Sequence, residues 1–146
     1  MPARWTATTT IVVEANGGNW AQSTMAAADD LVLSPGNTCA HPYGKFTLSA
    51  NFESTASMTT PVTIYMYFSY GDGTNYESSP SISHKYTYVG SFNPPHLYDA
   101  LSDYYMVIEA VPLPIQYAKV SLWNGTAVEI SASWVLKCVP YSLTAA

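Results

Sequence analysis

Three histidines, two cysteines and ten acidic side chains are the residues of this chain equipped for chemistry. His41, His84 and His96 stand far apart, and no two have the spacing of a metal site or catalytic pair. His41 and His96 each adjoin a proline, in loops. Cys39 and Cys138 lie about a hundred residues apart and lack C-x-x-C spacing. Each reads as a small buried apolar residue. A disulfide between them would require a suitable Cα separation. The acids are Glu14, Asp29, Asp30, Glu53, Asp72, Glu77, Asp99, Asp103, Glu109 and Glu129. A glycosidase holds two carboxylates across a cleft, whereas most of these fall in turns or on outward strand faces. Glu109 sits within an apolar run, and a solvent-facing strand position accounts for it. Asp72, Asn75 and Glu77 collect oxygens in one loop, too few for the roughly six to eight that calcium takes. Asp72 bonding its own backbone in a turn accounts for them. There is no G-x-S-x-G elbow and no glycine-rich loop carrying a lysine. The expectation is a protein that is not an enzyme and uses no metal and no cofactor.

Composition points the same way. Lys, Arg, Asp and Glu make up only 10 % of the 146 residues, against about a quarter in an ordinary soluble domain. Twelve residues are tyrosine. Such a surface stays soluble through hydroxyls and amides or by being covered, and the second option describes an assembly component. The net charge of −5, with Arg4, Lys45, Lys85, Lys119 and Lys137 scattered, disfavours nucleic acid. No apolar run approaches the roughly 20 residues of a membrane span. The first residues, MPARWTATTT, lack the apolar core of a secretory signal, which suggests synthesis and use in a cytoplasm.

Period-two alternation dominates the pattern that must position these groups. Phe46, Leu48, Ala50 and Phe52 share one strand face, with Lys45, Thr47, Ser49, Asn51 and Glu53 on the other. Val62, Ile64, Met66 and Phe68 share another face. Further strands are predicted over 8–14, 30–33, 84–90, 104–111, 116–123 and 127–138. In the last three the inward residues are Tyr104, Met106, Ile108 and Ala110, then Ala118, Val120 and Leu122, then Val128, Ile130, Ala132, Trp134 and Leu136. Asn124-Gly125 between two alternating runs predicts a type I′ hairpin; Asn124-Gly125-Thr126 matches a glycosylation sequon but reads better as that turn. Residues 21–30 allow one helical turn, with Ser23 as its cap. The 48 % hydrophobic content suits a single folded domain. The expected fold is all-β: a β-sandwich or jelly roll of about eight strands over 8–146, preceded by an N-terminal arm, 1–7; a barrel is the alternative.

Two stretches carry a resemblance. Gly71-Asp72-Gly73-Thr74-Asn75-Tyr76-Glu77-Ser78 is similar to a strand-turn motif of tailed-phage virion proteins. The stretch 112–132, with Pro112 and Pro114, Tyr117, Asn124-Gly125-Thr126 and flanking strands, resembles the closing hairpin of phage jelly-roll and decoration proteins. The chain therefore resembles the auxiliary proteins that decorate capsids of tailed phages, including thermophilic ones, though its 89–104 loop is longer than in the simplest of them. That resemblance implies a virion structural protein on the outer capsid surface, assembled in the host cytoplasm. It implies a homotrimer whose partner is the major capsid protein, and it carries over no catalytic residue. Other tail or minor capsid components share such strands.

Candidate contact residues follow from exposed-looking aromatics and prolines. They are Arg4 and Trp5 in the arm, Trp20 in the loop 16–20, and Phe92, Pro94, Pro95, His96, Leu97 and Tyr98 in the loop 91–99. The alternative is a carbohydrate- or receptor-binding sandwich using Tyr65, Tyr67, Tyr86, Tyr88 and Trp123 as a sugar face.

Overall fold

A computed structural model describes residues 3–7, 10–27, 31–32, 43–53, 62–68, 88–92, 103–113, 117–126 and 128–145, with side chains over 10–26, 43–53, 90–92, 103–113, 120–126 and 128–142. Among the described residues the chain forms strands and no helix. They are β1 (Ala3–Ala7), β2 (Ile11–Gly17), β3 (Met25–Ala27), β4 (Leu31–Val32), β5 (Tyr43–Asn51), β6 (Val62–Phe68), β7 (Tyr88–Phe92), β8 (Asp103–Pro112), β9 (Tyr117–Asn124) and β10 (Trp134–Ala145).

The first sheet has the order β1-β10-β5-β8, and β2 also pairs with β10. The second has the order β3-β9-β6-β7, and β4 also pairs with β9. All these pairings are antiparallel. β1 takes the Tyr141–Ala145 end of β10 and β2 takes the Trp134–Cys138 end, both on the side away from β5. They are two halves of one edge strand, and β3 and β4 are likewise halves of the edge beside β9. Counting each split edge once leaves eight positions, four in each sheet.

The pairing has a simple logic. Trp5 lies opposite Leu143, Ala26 opposite Leu122, Phe46 opposite Ile108 and Val62 opposite Phe92. The midpoint of each pair, half the sum of its numbers, falls between residues 74 and 77. The chain is one long antiparallel hairpin rolled up so that β5 meets β10 and β6 meets β9. First position pairs with last, second with seventh, third with sixth and fourth with fifth, which is the jelly-roll arrangement.

The alternation in β5 is realised: Phe46, Leu48, Ala50 and Phe52 are buried, while Lys45, Thr47, Ser49 and Asn51 are half-buried on the opposite face. Val13, Met106, Val120, Leu122, Leu136 and Cys138 complete the same core. In β8 the pattern breaks. Ile108 pairs with Phe46 and Val111 with Gly44, so Glu109 and Ala110 together oppose Lys45. This bulge puts Ala110 at φ 56° and exposes it, contrary to its expected inward place, and it lets Met106 and Val111 both face inward despite their odd spacing. Residues 3–7, expected as an arm, run as β1 instead, because β10 extends to Ala145 and offers them a partner. Of the residues expected to hold a helical turn, 21–27 are described and carry β3 rather than a helix.

The predicted 124–125 hairpin does not form. β9 and β10 belong to different sheets, so the chain crosses between them over residues 125–133. Ile130 exchanges backbone hydrogen bonds with Trp20, both 2.9 Å, and is also bridged to Phe52. Ser131 N–H donates to Asn51 O at 2.8 Å and Glu53 N–H to Glu129 O at 3.0 Å. The crossing thus straps one end of the sandwich shut, and Ala132, expected inward, is exposed on it.

Candidate interaction surface

Among the described residues the inward side chains of both sheets belong to the core, which leaves outer faces, edges and loops for contact with another molecule. On the outer face of the first sheet, period two brings forward Val12 from β2, Tyr43 from β5, and Tyr105 and Val107 from β8. These are 52 %, 41 %, 72 % and 47 % exposed. They are the exposed large hydrophobic side chains among the described residues, and all belong to this one sheet. Tyr105 and Val107 are neighbours on one face of β8, while Thr47 and Lys137 stand between Val107 and Val12 in the strand pairing, so the face is apolar along β8 and mixed across β5 and β10.

Beside them lies a groove of about 620 Å³, floored by β5 and β10. Lys45, Thr47, Lys137, Val139 and Tyr141 line it, with Glu109 on one wall and Thr10 on the other. The bulge in β8 aims Glu109 at Lys45, giving an ion pair of 3.5 Å. Both side chains are well exposed, so the pair contributes at most about 1 kcal/mol and acts mainly to orient the two groups. Tyr43 packs on Tyr141 with ring centroids 6.0 Å apart. The groove therefore offers hydroxyls, an oriented ion pair, an apolar floor and, on Lys137, a cation outside that pair.

The residues expected to contact a partner divide three ways. Trp20 and Phe92 are corrections. Trp20 is 2 % exposed, its indole N–H donates to Thr24 O at 3.0 Å, and its ring lies 5.4 Å from that of Trp134. Phe92 is fully buried. Both belong to this domain's own core, because the sandwich must close its ends with large side chains. Arg4 and Trp5 sit in β1, with side chains outside the described residues. Pro94, Pro95, His96, Leu97 and Tyr98 lie outside the described residues altogether. Of the suggested sugar face, Trp123 is half-buried; the side chains of Tyr65, Tyr67 and Tyr88, and Tyr86 as a whole, lie outside them.

The outer face of the first sheet was not among the expected sites, yet β8 carries its signal. Tyr105 and Val107 stand opposite Met106 and Ile108, so the strand is apolar on both faces. A strand with one face in water alternates instead.

No family model, curated protein or solved structure matches the chain. The surface must be interpreted from its own chemistry.

Among the described residues no group of three or more His, Cys, Asp or Glu side chains gathers. The three histidines, Cys39 and the loop with Asp72, Asn75 and Glu77 lie outside the described residues. Cys138 is a free thiol, fully buried in β10, and burial pushes it up from its ordinary 9.0 to about 12. The folded state therefore holds the proton more tightly than the unfolded chain. The stability this confers is complete below pH 9 and is lost as pH rises from 9 toward about 12. Because the thiolate is the nucleophile, Cys138 is expected to resist iodoacetamide in the native protein near neutral pH. Its labelling, followed by peptide mass mapping, is expected to track unfolding in urea. Rapid labelling in native buffer would contradict this burial.

Proposed function

We propose that the chain is a virion structural protein, a capsid decoration protein that binds the outside of the major capsid shell as a homotrimer. The observation that carries this reading is that the exposed large apolar side chains among the described residues, Val12, Tyr43, Tyr105 and Val107, all stand on the outer face of one sheet. The jelly-roll strand order and the resemblance of the 71–78 and 112–132 stretches support it. A protein that stabilises a shell needs contact area at low desolvation cost. Tyrosine and valine supply area with few rotatable bonds, and a chain with little charge has few ions to strip of water when surfaces meet. Repetition over a shell then multiplies modest contacts through avidity.

Co-sedimentation with expanded empty shells of the same virus tests the reading. The wild-type protein is expected to pellet with shells. Tyr105→Asp with Val107→Asp is expected to reduce pelleting at least tenfold while leaving the melting temperature within a few degrees, because both side chains already face solvent. Wild-type protein that stays in the supernatant overturns the proposal. Binding to a glycan array instead, lost on Trp123→Ala, would favour the carbohydrate reading.

A further inference from the structure

The first sheet is electrically asymmetric along its strands. Lys45 and Lys137 line the groove toward one end. Glu109 is already engaged by Lys45, so Lys137 gives this end a net positive charge. At the other end stand Glu53, Asp103 and Glu129, near the strap that closes the sandwich. Lys45 and Asn51 are six residues apart on β5, roughly 20 Å, and Lys137, the partner of Thr47, stands about 13 Å along the sheet from the Asn51–Asp103 pair. The acidic end is also ordered. Ser131 Oγ donates to Glu53 Oε1 at 2.8 Å, and Asn51 Nδ2 donates to Asp103 Oδ1 at 3.2 Å. Carboxylates held in this way lose little freedom on binding.

We infer that the groove of one protomer receives the acidic strap end of a second copy of this chain, with Lys137 opposite Glu53 and Asp103. Three features select that occupant. The patches are of opposite sign on the same chain, so a second copy supplies the complement the groove lacks. The groove presents Lys137, and the strap end presents the exposed carboxylates of Glu53 and Asp103. Two different patches make the contact head-to-tail, and a head-to-tail contact whose rotation closes builds a ring. The inference rests on the homotrimer proposed above and names the contact that would build it.

The test is sedimentation equilibrium of the full chain, without shells. Wild type is expected at three chain masses. Lys137→Glu, which leaves the Lys45–Glu109 pair intact, and separately Glu53→Lys with Asp103→Lys, are each expected to weaken association at least tenfold. Combining all three substitutions is expected to restore the trimer, since both patches are then reversed. Circular dichroism and melting temperature monitor folding, and Lys137→Met with Glu53→Gln supplies neutral counterparts if a reversal unfolds the chain. A monomeric or dimeric wild type overturns this contact and the trimer reading together. A trimer indifferent to the reversals, or one the combined variant fails to restore, overturns the contact alone.

Discussion

Gly17→Ala is expected to remove much of the stability of this fold, while Gly18→Ala, one residue later, is expected to change almost nothing. A β-carbon on Gly17 would overlap the Trp134 ring at Cε2, Nε1 and Cδ2. Gly17 is the register partner of Trp134 across the β2–β10 ladder, and its carbonyl accepts from Ser133 N–H. The backbone therefore has little room to withdraw. The indole is equally confined: it is 2 % exposed, its N–H donates to Gly18 O at 2.9 Å, and it packs on Trp20. Accommodating a methyl group means displacing the ring, and the scale is that of losing a buried tryptophan from a core, about 3–5 kcal/mol. Total stabilities of single domains are only about 5–15 kcal/mol. A β-carbon on Gly18 would meet nothing within 4 Å, so that change should stay within about 0.5 kcal/mol. Urea midpoints of the two variants check the contrast, and matching midpoints would mean that Trp134 does not occupy this seat.

These glycines also show where local reasoning stops. Alternation reports which side of a strand faces the core, and it placed Phe46, Leu48, Phe52, Val120, Leu122 and Leu136 correctly. It says nothing about which distant strand lies alongside. Asn16-Gly17-Gly18-Asn19-Trp20 looks like an exposed loop, since glycine and asparagine suit turns. In the folded chain Trp20 pairs with Ile130, and Asn19 Oδ1 accepts from Ala132 N–H at 2.9 Å. Sequence separations of over a hundred residues leave no local trace. The bulge at Glu109 and Ala110 was likewise hidden, because alanine there disguises a left-handed residue that glycine would have announced. The outward Tyr105 and Val107 were visible in the alternation of β8, but a strand pattern cannot distinguish a face covered by its own chain from one left open.

Asn124 carries the second large effect. The dipeptide Asn124-Gly125 signals a surface turn, yet Asn124 is fully buried. Its Nδ2 donates to Trp20 O at 3.2 Å and to Val128 O at 2.9 Å. Its Oδ1 accepts from Thr126 N–H at 3.0 Å and from Thr126 Oγ1 at 2.5 Å. Its backbone N–H donates to Thr24 O, and its carbonyl accepts from Ser23 N–H. One amide therefore holds the end of β9, the start of the strap and the Trp20 segment together. Asn124→Ala removes four side-chain hydrogen bonds at a buried site, where unsatisfied partners cost about 1–3 kcal/mol each. Trp20 O keeps its bond from Ile130 N–H, and the Thr126 hydroxyl, released from Asn124 Oδ1, can turn its single proton to Val128 O. The expected loss is accordingly about 3 kcal/mol. Asn124→Asp should be worse near neutral pH despite being isosteric. It replaces two donors with a carboxylate oxygen facing two carbonyls, and a buried charge with no counter-ion is costlier than a missing amide even though Thr126 still donates to its other oxygen. Protonation would relieve that repulsion, so the gap between the Asp and Ala variants should narrow as pH falls below the carboxylate's raised pKa. Thermal melts of both variants across that range check the ordering. An aspartate variant as stable as wild type at neutral pH would show that the strap is not held by this amide.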